Sequence, residues 1–255
     1  MRGCEVKCRL LETGHNPGYW NMGLDEAVLE EVSQGNSPPT LRFYGWEPAT
    51  VSIGYFQSLR EEVDLDSCFE EGVDVVRRIT GGGAVYHDTE LTYSFISPED
   101  TVPKDVLESY RLICSGLIGG FKELGIDAEF APLNDIITGG RKISGNAQTR
   151  RMNCVLQHGT VLLDVDAERM FKLLRVSDEK MRDKAVKAVK ERVTSVKHVL
   201  NREITFDKAS TAFRKGFAKS LKLDLKKGRP TGEERMKAEA LSENKYSTVD
   251  WNNKR

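Results

Sequence analysis

The stretch at residues 75–88, VVRRITGGGAVYHD, constrains this chain more than any other part of its sequence. Two strand-like runs flank a short turn that contains Arg77, Arg78, Gly81, Gly82 and Gly83. Glycine has no Cβ atom, so the backbone here can adopt positive φ and a ligand can lie directly against it. Successive bare N–H groups can form an anion-binding concavity, and two guanidiniums add fixed positive charge. The pattern favours a phosphate or carboxylate site; the alternative is a flexible hairpin with two solvated arginines.

The spacing of these glycines excludes two common nucleotide-binding loops. A P-loop requires Gly-x-x-x-x-Gly-Lys-Ser/Thr at the start of a helix, and a dinucleotide-binding turn requires spaced glycines between a strand and a helix. Neither pattern occurs at residues 75–88. Any phosphate would therefore be held by a turn between two strands.

The twelve residues RRITGGGAVYHD resemble the signature loop of lipoate-protein ligases almost without interruption. These enzymes share a superfamily with lipoyl-pathway octanoyltransferases and biotin-protein ligases. The resemblance implies that the loop holds the phosphates of a nucleotide. The residues implied are Arg77, Arg78, Gly81, Gly82, Gly83, Ala84, Val85 and Tyr86.

A second segment, residues 132–159, contains PLNDIITGGRKISGNAQTR and resembles the second signature of the same family. In that family the lysine at the position of Lys142 binds both the lipoyl carbonyl and the nucleotide phosphate, which makes Lys142 the predicted catalytic residue. An ammonium group can stabilise negative charge that develops on an activated acyl group. Asn134 and Asp135 offer oxygen ligands, and Asp135 is a candidate for Mg²⁺. The alternatives are a solvated strand lysine and an ordinary Asn-Asp turn.

The composition narrows the class of protein further. The 255 residues suffice for one large domain, and a net charge of −1 with 30% charged residues predicts no nucleic-acid partner. No apolar run is long enough to span a membrane. Five scattered cysteines without a Cys-x-x-Cys pair argue against a disulfide framework and suggest a reducing cytoplasm.

The order of the predicted elements favours an α+β fold with a mixed, largely antiparallel sheet and flanking helices. The runs at residues 41–44 and 50–56 predict a hairpin. Helices gather after Asp166, so that residues 166–255 form a helical part of a single catalytic domain spanning 1–255. The resemblance implies the biotin/lipoate-protein ligase catalytic fold, similar to class II aminoacyl-tRNA synthetases. The accessory C-terminal domain of bacterial-type ligases is missing, so a separately encoded accessory protein is expected.

Three functions remain compatible with this sequence. The preferred one is an ATP-dependent lipoate-protein ligase, which forms lipoyl-AMP with MgATP and transfers the lipoyl group to a lysine of an acceptor domain. The acceptor would be glycine cleavage H protein or the E2 subunit of a 2-oxoacid dehydrogenase. The first alternative is an octanoyltransferase that takes its acyl group from acyl-carrier protein and uses Cys154 as nucleophile. The second alternative is a non-catalytic lipoate-binding module.

Two observations bear on that choice. Transferases of the nearest type carry their nucleophile just before the position of Asn134, and here the stretch AEFAPLND contains no cysteine. Cys154 alternates with apolar residues in a predicted strand, which also fits a structural role.

His87 and His158 have no metal-ligand partner at helical spacing, and the sequence predicts structural roles for both.

Overall fold

A computed structural model of the chain describes residues 6–175 and 179–255, which form an eight-stranded sheet, a separate three-stranded sheet and helices packed on both. The predicted α+β class with a mixed, largely antiparallel sheet is confirmed. The sequence also predicts that Ser177 caps a helix that extends to about Val193, and Ser177 lies outside the described residues.

The strands are β1 (Val6–Asn16), β2 (Thr40–Trp46), β3 (Thr50–Ile53), β4 (Asp74–Arg77), β5 (Val85–His87), β6 (Glu90–Pro98), β7 (Glu129–Ala131), β8 (Asp135–Thr138), β9 (Arg141–Arg151), β10 (Cys154–Leu162) and β11 (Leu223–Lys227). The α-helices are α1 (Gly18–Ser33), α2 (Leu59–Glu62), α3 (Leu65–Glu70), α4 (Val106–Glu123), α5 (Ala167–Leu173), α6 (Glu179–Arg192), α7 (Val196–Leu200), α8 (Phe206–Leu221), α9 (Gly232–Leu241) and α10 (Val249–Asn252).

The large sheet has the strand order β11-β1-β2-β6-β10-β9-β8-β7. Its first two pairs are parallel, and the pairs from β2 to β7 are all antiparallel. The antiparallel half carries the second sequence segment on β8 and β9. A hairpin joins these two strands, and its turn residues Gly139 and Gly140 both have positive φ, as glycine permits.

Helices cover both faces of this sheet. One face packs against α4 and α8 through Leu41, Phe43 and their neighbours, and the opposite face packs against α1 and α9 through Tyr44. Successive side chains of a strand point to opposite faces, so a strand covered on both sides is buried at every position. All seven residues of β2 are indeed buried.

The small sheet has the order β4-β3-β5 and corrects the predicted hairpin. The run at residues 41–44 belongs to β2 in the large sheet, whereas the run at 50–56 supplies β3 in the small one. The two runs therefore do not pair. β3 lies between β4 and β5, the strands that flank the glycine turn, so the turn is a crossover between two strands that both pair with β3.

The C-terminal part differs from the prediction in one respect. Residues 223–227 form β11, which pairs in parallel with β1 at the edge of the large sheet. An edge strand with one buried position lacks the apolar alternation by which strands are predicted. Among the residues that the structure describes, no helix is long and apolar enough to cross a membrane.

Candidate active site

A cavity of about 510 Å³ opens between the two sheets. This volume lies within the range of small-molecule sites, about 300–1,000 Å³. Its wall brings together eight of the residues predicted from the two sequence segments. They are Arg78, Gly82, Gly83, Ala84, Val85, Tyr86, Asn134 and Lys142. Arg77, Gly81 and Asp135 are not part of this wall. The two segments, some fifty residues apart in the chain, thus converge on one site.

The buried guanidinium of Arg78 holds the glycine turn in place. Its Nη2 donates to the carbonyl oxygens of Gly81 at 2.8 Å and Gly83 at 2.7 Å, while its Nη1 donates to the Ser52 carbonyl at 3.1 Å and hydroxyl at 3.0 Å. Burial lowers the pKa of Arg78 to about 10. The guanidinium N–H groups of Arg78 are bound to oxygen atoms of the protein itself. The contacts of Arg78 in this structure therefore hold the glycine turn in its conformation.

Gly54 explains how closely the turn approaches the small sheet. A Cβ atom added at Gly54 would lie 2.0 Å from the carbonyl oxygen of Gly82. The chain can pass here only because position 54 has no side chain. The close approach at Gly54 is therefore between the end of β3 and the glycine turn itself.

Arg77 points away from the cavity wall and joins the small sheet to the C-terminal helix. Its guanidinium donates to the carbonyl oxygens of Gly54, Gln57, Trp251 and Asn252 at 2.6–3.1 Å. The side chain is completely buried. Adjacent strand residues point to opposite sides, so Arg77 and Arg78 serve different parts of the structure.

Lys142 lies on β9 at the wall, and its Nζ is 2.7 Å from Asp135 Oδ1 on the neighbouring strand. Gly145 makes room for this side chain, because a Cβ there would lie 2.8 Å from Lys142 Nζ. Asn134 is bound through its amide group to the Asn146 carbonyl, and the Asn146 amide donates back to the Asn134 carbonyl at 2.9 Å. The ammonium is thus oriented by a carboxylate at the cavity rather than free in solvent.

The surroundings of Asp135 bear on its predicted role as a magnesium ligand. Within residues 6–175 and 179–255, no group of three or more His, Cys, Asp or Glu side chains could hold an ion. The carboxylate pairs with Lys142 instead. The magnesium role of Asp135 and the phosphate roles of the glycine-turn residues stay predictions.

A hydrogen-bonded chain that sequence analysis missed also lines the cavity. His87 Nε2 lies 2.7 Å from Ser52 Oγ, and His87 Nδ1 lies 2.7 Å from Glu90 Oε1. All three residues are at the wall and nearly buried. Ser52 and His87 are 35 positions apart, and no local pattern links them. They meet because β3 and β5 are neighbours in the small sheet.

His158 occupies another part of the wall. Its Nε2 lies 2.7 Å from Thr80 Oγ1, and its Nδ1 lies 3.4 Å from Asp25 Oδ2. Burial lowers the pKa of His158, although the Asp25 carboxylate opposes that shift. Asp25 also pairs with Arg42, Nη1 to Oδ1 at 2.8 Å. Burial by itself would raise the pKa of Asp25, but the Arg42 guanidinium and the hydrogen bonds outweigh it and the pKa is lowered.

The cysteines with described positions all lie away from the cavity wall. Cys154 is buried against Ile96 and Leu156 on the α1 side of the large sheet, and burial raises the pKa of its thiol. Burial raises the pKa of Cys8 and Cys114 to about 12 and that of Cys68 to about 11. Reactive thiols are accessible and have a lowered pKa. The buried position of Cys154 therefore contradicts the role of nucleophile that the octanoyltransferase alternative gave it.

Known proteins resemble this chain over nearly its whole length. Octanoyltransferase LipM of Geobacillus kaustophilus is 40% identical over 272 residues, which cover 97% of this chain and 98% of that protein. Octanoyltransferase LipM of Bacillus subtilis is 36% identical with the same coverage. These relatives overturn the preferred prediction of an ATP-dependent lipoate ligase and support the octanoyltransferase alternative. The expectation that this chain uses ATP and Mg²⁺ followed from the ligase prediction.

Solved structures agree on the fold and the superfamily. The bipartite lipoate protein ligase from Thermoplasma acidophilum has a TM-score of 0.87 and 35% identity, covering 98% of this chain and 96% of its own. A lipoate-protein ligase A bound with ATP has a TM-score of 0.84 and 32% identity, covering 98% and 99%. A family match extends over residues 17–218 and includes both segments that meet at the cavity. The chain therefore belongs to the family of lipoyl protein ligase A/B catalytic domains.

Proposed function

We propose that this protein is an octanoyltransferase. It moves an octanoyl group from the thioester of an acyl-carrier protein to the ε-amine of a lysine on a lipoyl acceptor domain. One structural observation carries this proposal: the ammonium of Lys142 and an apolar wall belong to the same cavity. That wall includes Met22, Val85, Leu162, Val165, Met170 and Val193. An unbranched acyl chain is bound by apolar contacts, and its carbonyl needs a polar partner at one end.

Lys142 is suited to stabilise the charge that develops during acyl transfer. When a nucleophile adds to the thioester carbonyl, the carbonyl oxygen becomes an oxyanion. An ammonium that is oriented in advance by Asp135 needs little reorganisation to meet that charge. In the overall reaction a C–N bond forms and the C–S bond breaks, and the proton lost by the amine is taken up by the thiolate. The reaction consumes no nucleotide.

The acceptor is inferred from the solved relatives. The Thermoplasma acidophilum structure is of a lipoate protein ligase and its E2 lipoyl domain. We infer an acceptor of the same kind for this chain, either an E2 lipoyl domain or glycine cleavage H protein. The accessory protein expected for a ligase has no step to perform in direct thioester transfer. Four free cysteines among the described residues fit a reducing compartment, for which the cytoplasm is the proposal.

The test is a transfer assay with purified protein, octanoyl-acyl-carrier protein and an acceptor domain, without ATP. Intact mass spectrometry should show one added octanoyl group on the acceptor, and an acceptor whose target lysine is replaced by arginine should stay unmodified. A parallel reaction contains lipoate, MgATP and the same acceptor. Modification in that parallel reaction alone would contradict the proposal.

A further inference from the structure

The chain Ser52, His87 and Glu90 has the geometry of an acyl-transfer nucleophile with its base. Ser52 Oγ and His87 Nε2 are 2.7 Å apart, and His87 Nδ1 and Glu90 Oε1 are 2.7 Å apart. A serine is activated when a histidine lies within about 2.6–3.2 Å of its hydroxyl and a third group orients the histidine. Both distances meet this requirement, and all three side chains face the cavity proposed to bind the acyl chain.

The surroundings of Glu90 decide which nitrogen of His87 carries the proton. Glu90 Oε1 also receives hydrogen bonds from Trp46 Nε1 at 3.1 Å and from the Thr92 hydroxyl. A carboxylate oxygen can only accept hydrogen bonds, so the bond between Glu90 Oε1 and His87 Nδ1 is donated by the imidazole. The indole of Trp46 stacks on the imidazole, with ring centroids 4.0 Å apart and planes inclined by 17°, and fixes its orientation. His87 Nε2 is thereby left as the acceptor for the Ser52 hydroxyl.

Arg78 completes the arrangement at Ser52. Its Nη1 donates to Ser52 Oγ at 3.0 Å and carries a positive charge next to the oxygen that would become the nucleophile. A neighbouring guanidinium favours the alkoxide over the neutral hydroxyl. The same side chain holds the glycine turn through the carbonyl oxygens of Gly81 and Gly83, so the turn lies close to Ser52.

The second histidine of the cavity forms a similar chain that fits the role less well. His158 connects Asp25 to Thr80, but the Asp25 contact is 3.4 Å long and the Thr80 hydroxyl is not at the cavity wall. Asp25 already forms a buried ion pair with Arg42. A nucleophile must reach the acyl carbonyl in the cavity, and of these two residues only Ser52 lines it.

We propose that Ser52 is the catalytic nucleophile of the octanoyl transfer described above and that the reaction passes through an octanoyl-Ser52 ester. The inference rests on the proposed function. In the first half, Ser52 Oγ bonds to the thioester carbonyl carbon, the C–S bond breaks, and His87 Nε2 passes the serine proton to the thiolate. In the second half, the acceptor amine bonds to the ester carbon, the C–O bond breaks, and a proton from the amine returns to Ser52 Oγ. Glu90 is a positioning residue for His87.

The first experiment looks for the ester. The full chain is mixed with octanoyl-acyl-carrier protein without acceptor, and the intact mass and the peptide that contains Ser52 are measured. The wild type should gain one octanoyl group on that peptide, and Ser52→Ala should lose both the adduct and transfer activity, the latter on the order of 10³-fold or more. Ser97→Ala is the matched control, because Ser97 is a buried strand serine whose hydroxyl contacts Thr101 outside the cavity wall.

Two further variants separate chemistry from folding. Ser52→Cys should still form an adduct, which neutral hydroxylamine cleaves as a thioester, whereas the wild-type oxygen ester should resist it. Glu90→Gln should lower kcat by a much larger factor than it changes KM for the octanoyl carrier, since Glu90 orients the base. Transfer at near wild-type rate by a folded Ser52→Ala variant, or an adduct on another residue, would overturn the inference.

A substrate-independent probe distinguishes failure of this inference from failure of the proposed function. An alkyl fluorophosphonate should label Ser52 of the wild type but leave both Ser52→Ala and a folded His87→Gln variant unlabelled. Labelling of Ser52 without octanoyl transfer would support an activated serine and reject the octanoyl substrate. Octanoyl transfer without an adduct and without labelling would support the proposed function and reject Ser52 as the nucleophile.

Discussion

Lys142 and Asp135 form an ion pair between neighbouring strands, with Nζ 2.7 Å from Oδ1. Both side chains are about one-third exposed, at 39% and 33%. Exposed ion pairs contribute only about 0–1 kcal/mol to the free energy of unfolding. The pair therefore matters mainly for where it places the ammonium, which is at the wall of the proposed acyl cavity.

Replacement of Lys142 should separate activity from stability. We expect Lys142→Ala to lower the rate of acyl transfer by about 10²–10³-fold, the usual effect of removing one donor to a developing oxyanion. The Tm should change little. The measurements are initial rates of acceptor modification and thermal unfolding by circular dichroism.

Lys226→Ala is the matched control for that variant. Lys226 is also an exposed strand lysine in an ion pair, with Asp224 at 3.0 Å, but it lies on β11 at the far edge of the sheet order. It should keep the wild-type rate. If Lys142→Ala also keeps it, Lys142 does not stabilise the reacting carbonyl.

Gly54→Ala should disturb the glycine turn without altering any polar group. The added Cβ would meet the Gly82 carbonyl oxygen at 2.0 Å, so the turn or β3 must shift. We expect a loss of about 1–3 kcal/mol in unfolding free energy, together with lower transfer activity. Urea unfolding and the transfer assay measure the two effects. Gly232→Ala serves as control, because a Cβ at that position meets nothing within 4 Å; equal stability of the two variants would contradict the predicted clash.

Substitution of Arg77 should destabilise the folded state, because its guanidinium binds buried backbone carbonyls. Arg77→Met removes the donors for backbone carbonyls of the small sheet and of α10. We expect it to lower the unfolding free energy by about 2–4 kcal/mol, because buried carbonyls lose their partners. Arg77→Lys should recover only part of this loss, since an ammonium cannot reproduce the planar fork. Wild-type stability of Arg77→Met in urea unfolding would show that these contacts are not structural.

His158 should make the fold less stable in mild acid. Burial lowers the pKa of His158 in the folded state, so the unfolded chain takes up the proton first as the pH falls. The stabilising contribution is fully present above the unfolded pKa of about 6.5 and is lost as the pH falls toward the folded pKa. For this one group, unfolding free energy can fall by at most about 1.4 kcal/mol per pH unit.

The comparison of wild type with His158→Gln isolates this effect. Urea unfolding is measured at about pH 7.5 and about pH 5.5, on either side of the unfolded histidine pKa. The wild type should lose more stability between these values than the variant does. Identical losses would mean that His158 has the same proton affinity in both states.

Local patterns predicted the segments of this protein well. The sequence predicts a helix over residues 105–124 with Gly125 as its stop, and α4 begins after Asp105 and ends before Gly125, which has positive φ. The sequence also predicts a hairpin at Gly139-Gly140, and both glycines have positive φ in the turn between β8 and β9. The pairing of strands was predicted less well. β2 and β3 are adjacent in the chain and were expected to form a hairpin, but they belong to different sheets.

The α+β class, the family and the two segments that carry Lys142 and the glycine turn follow from the amino-acid residues alone, because motif residues and helix ends are local properties of a chain. The folded chain was needed to show that Arg77 is structural, that Cys154 lies in the core, and that Ser52, His87 and Glu90 line the cavity together. Those relationships depend on which strands pair and on which face of a sheet each side chain emerges. Strand pairing is set by burial of the whole sheet between two layers of helices, and no short stretch of sequence contains that information.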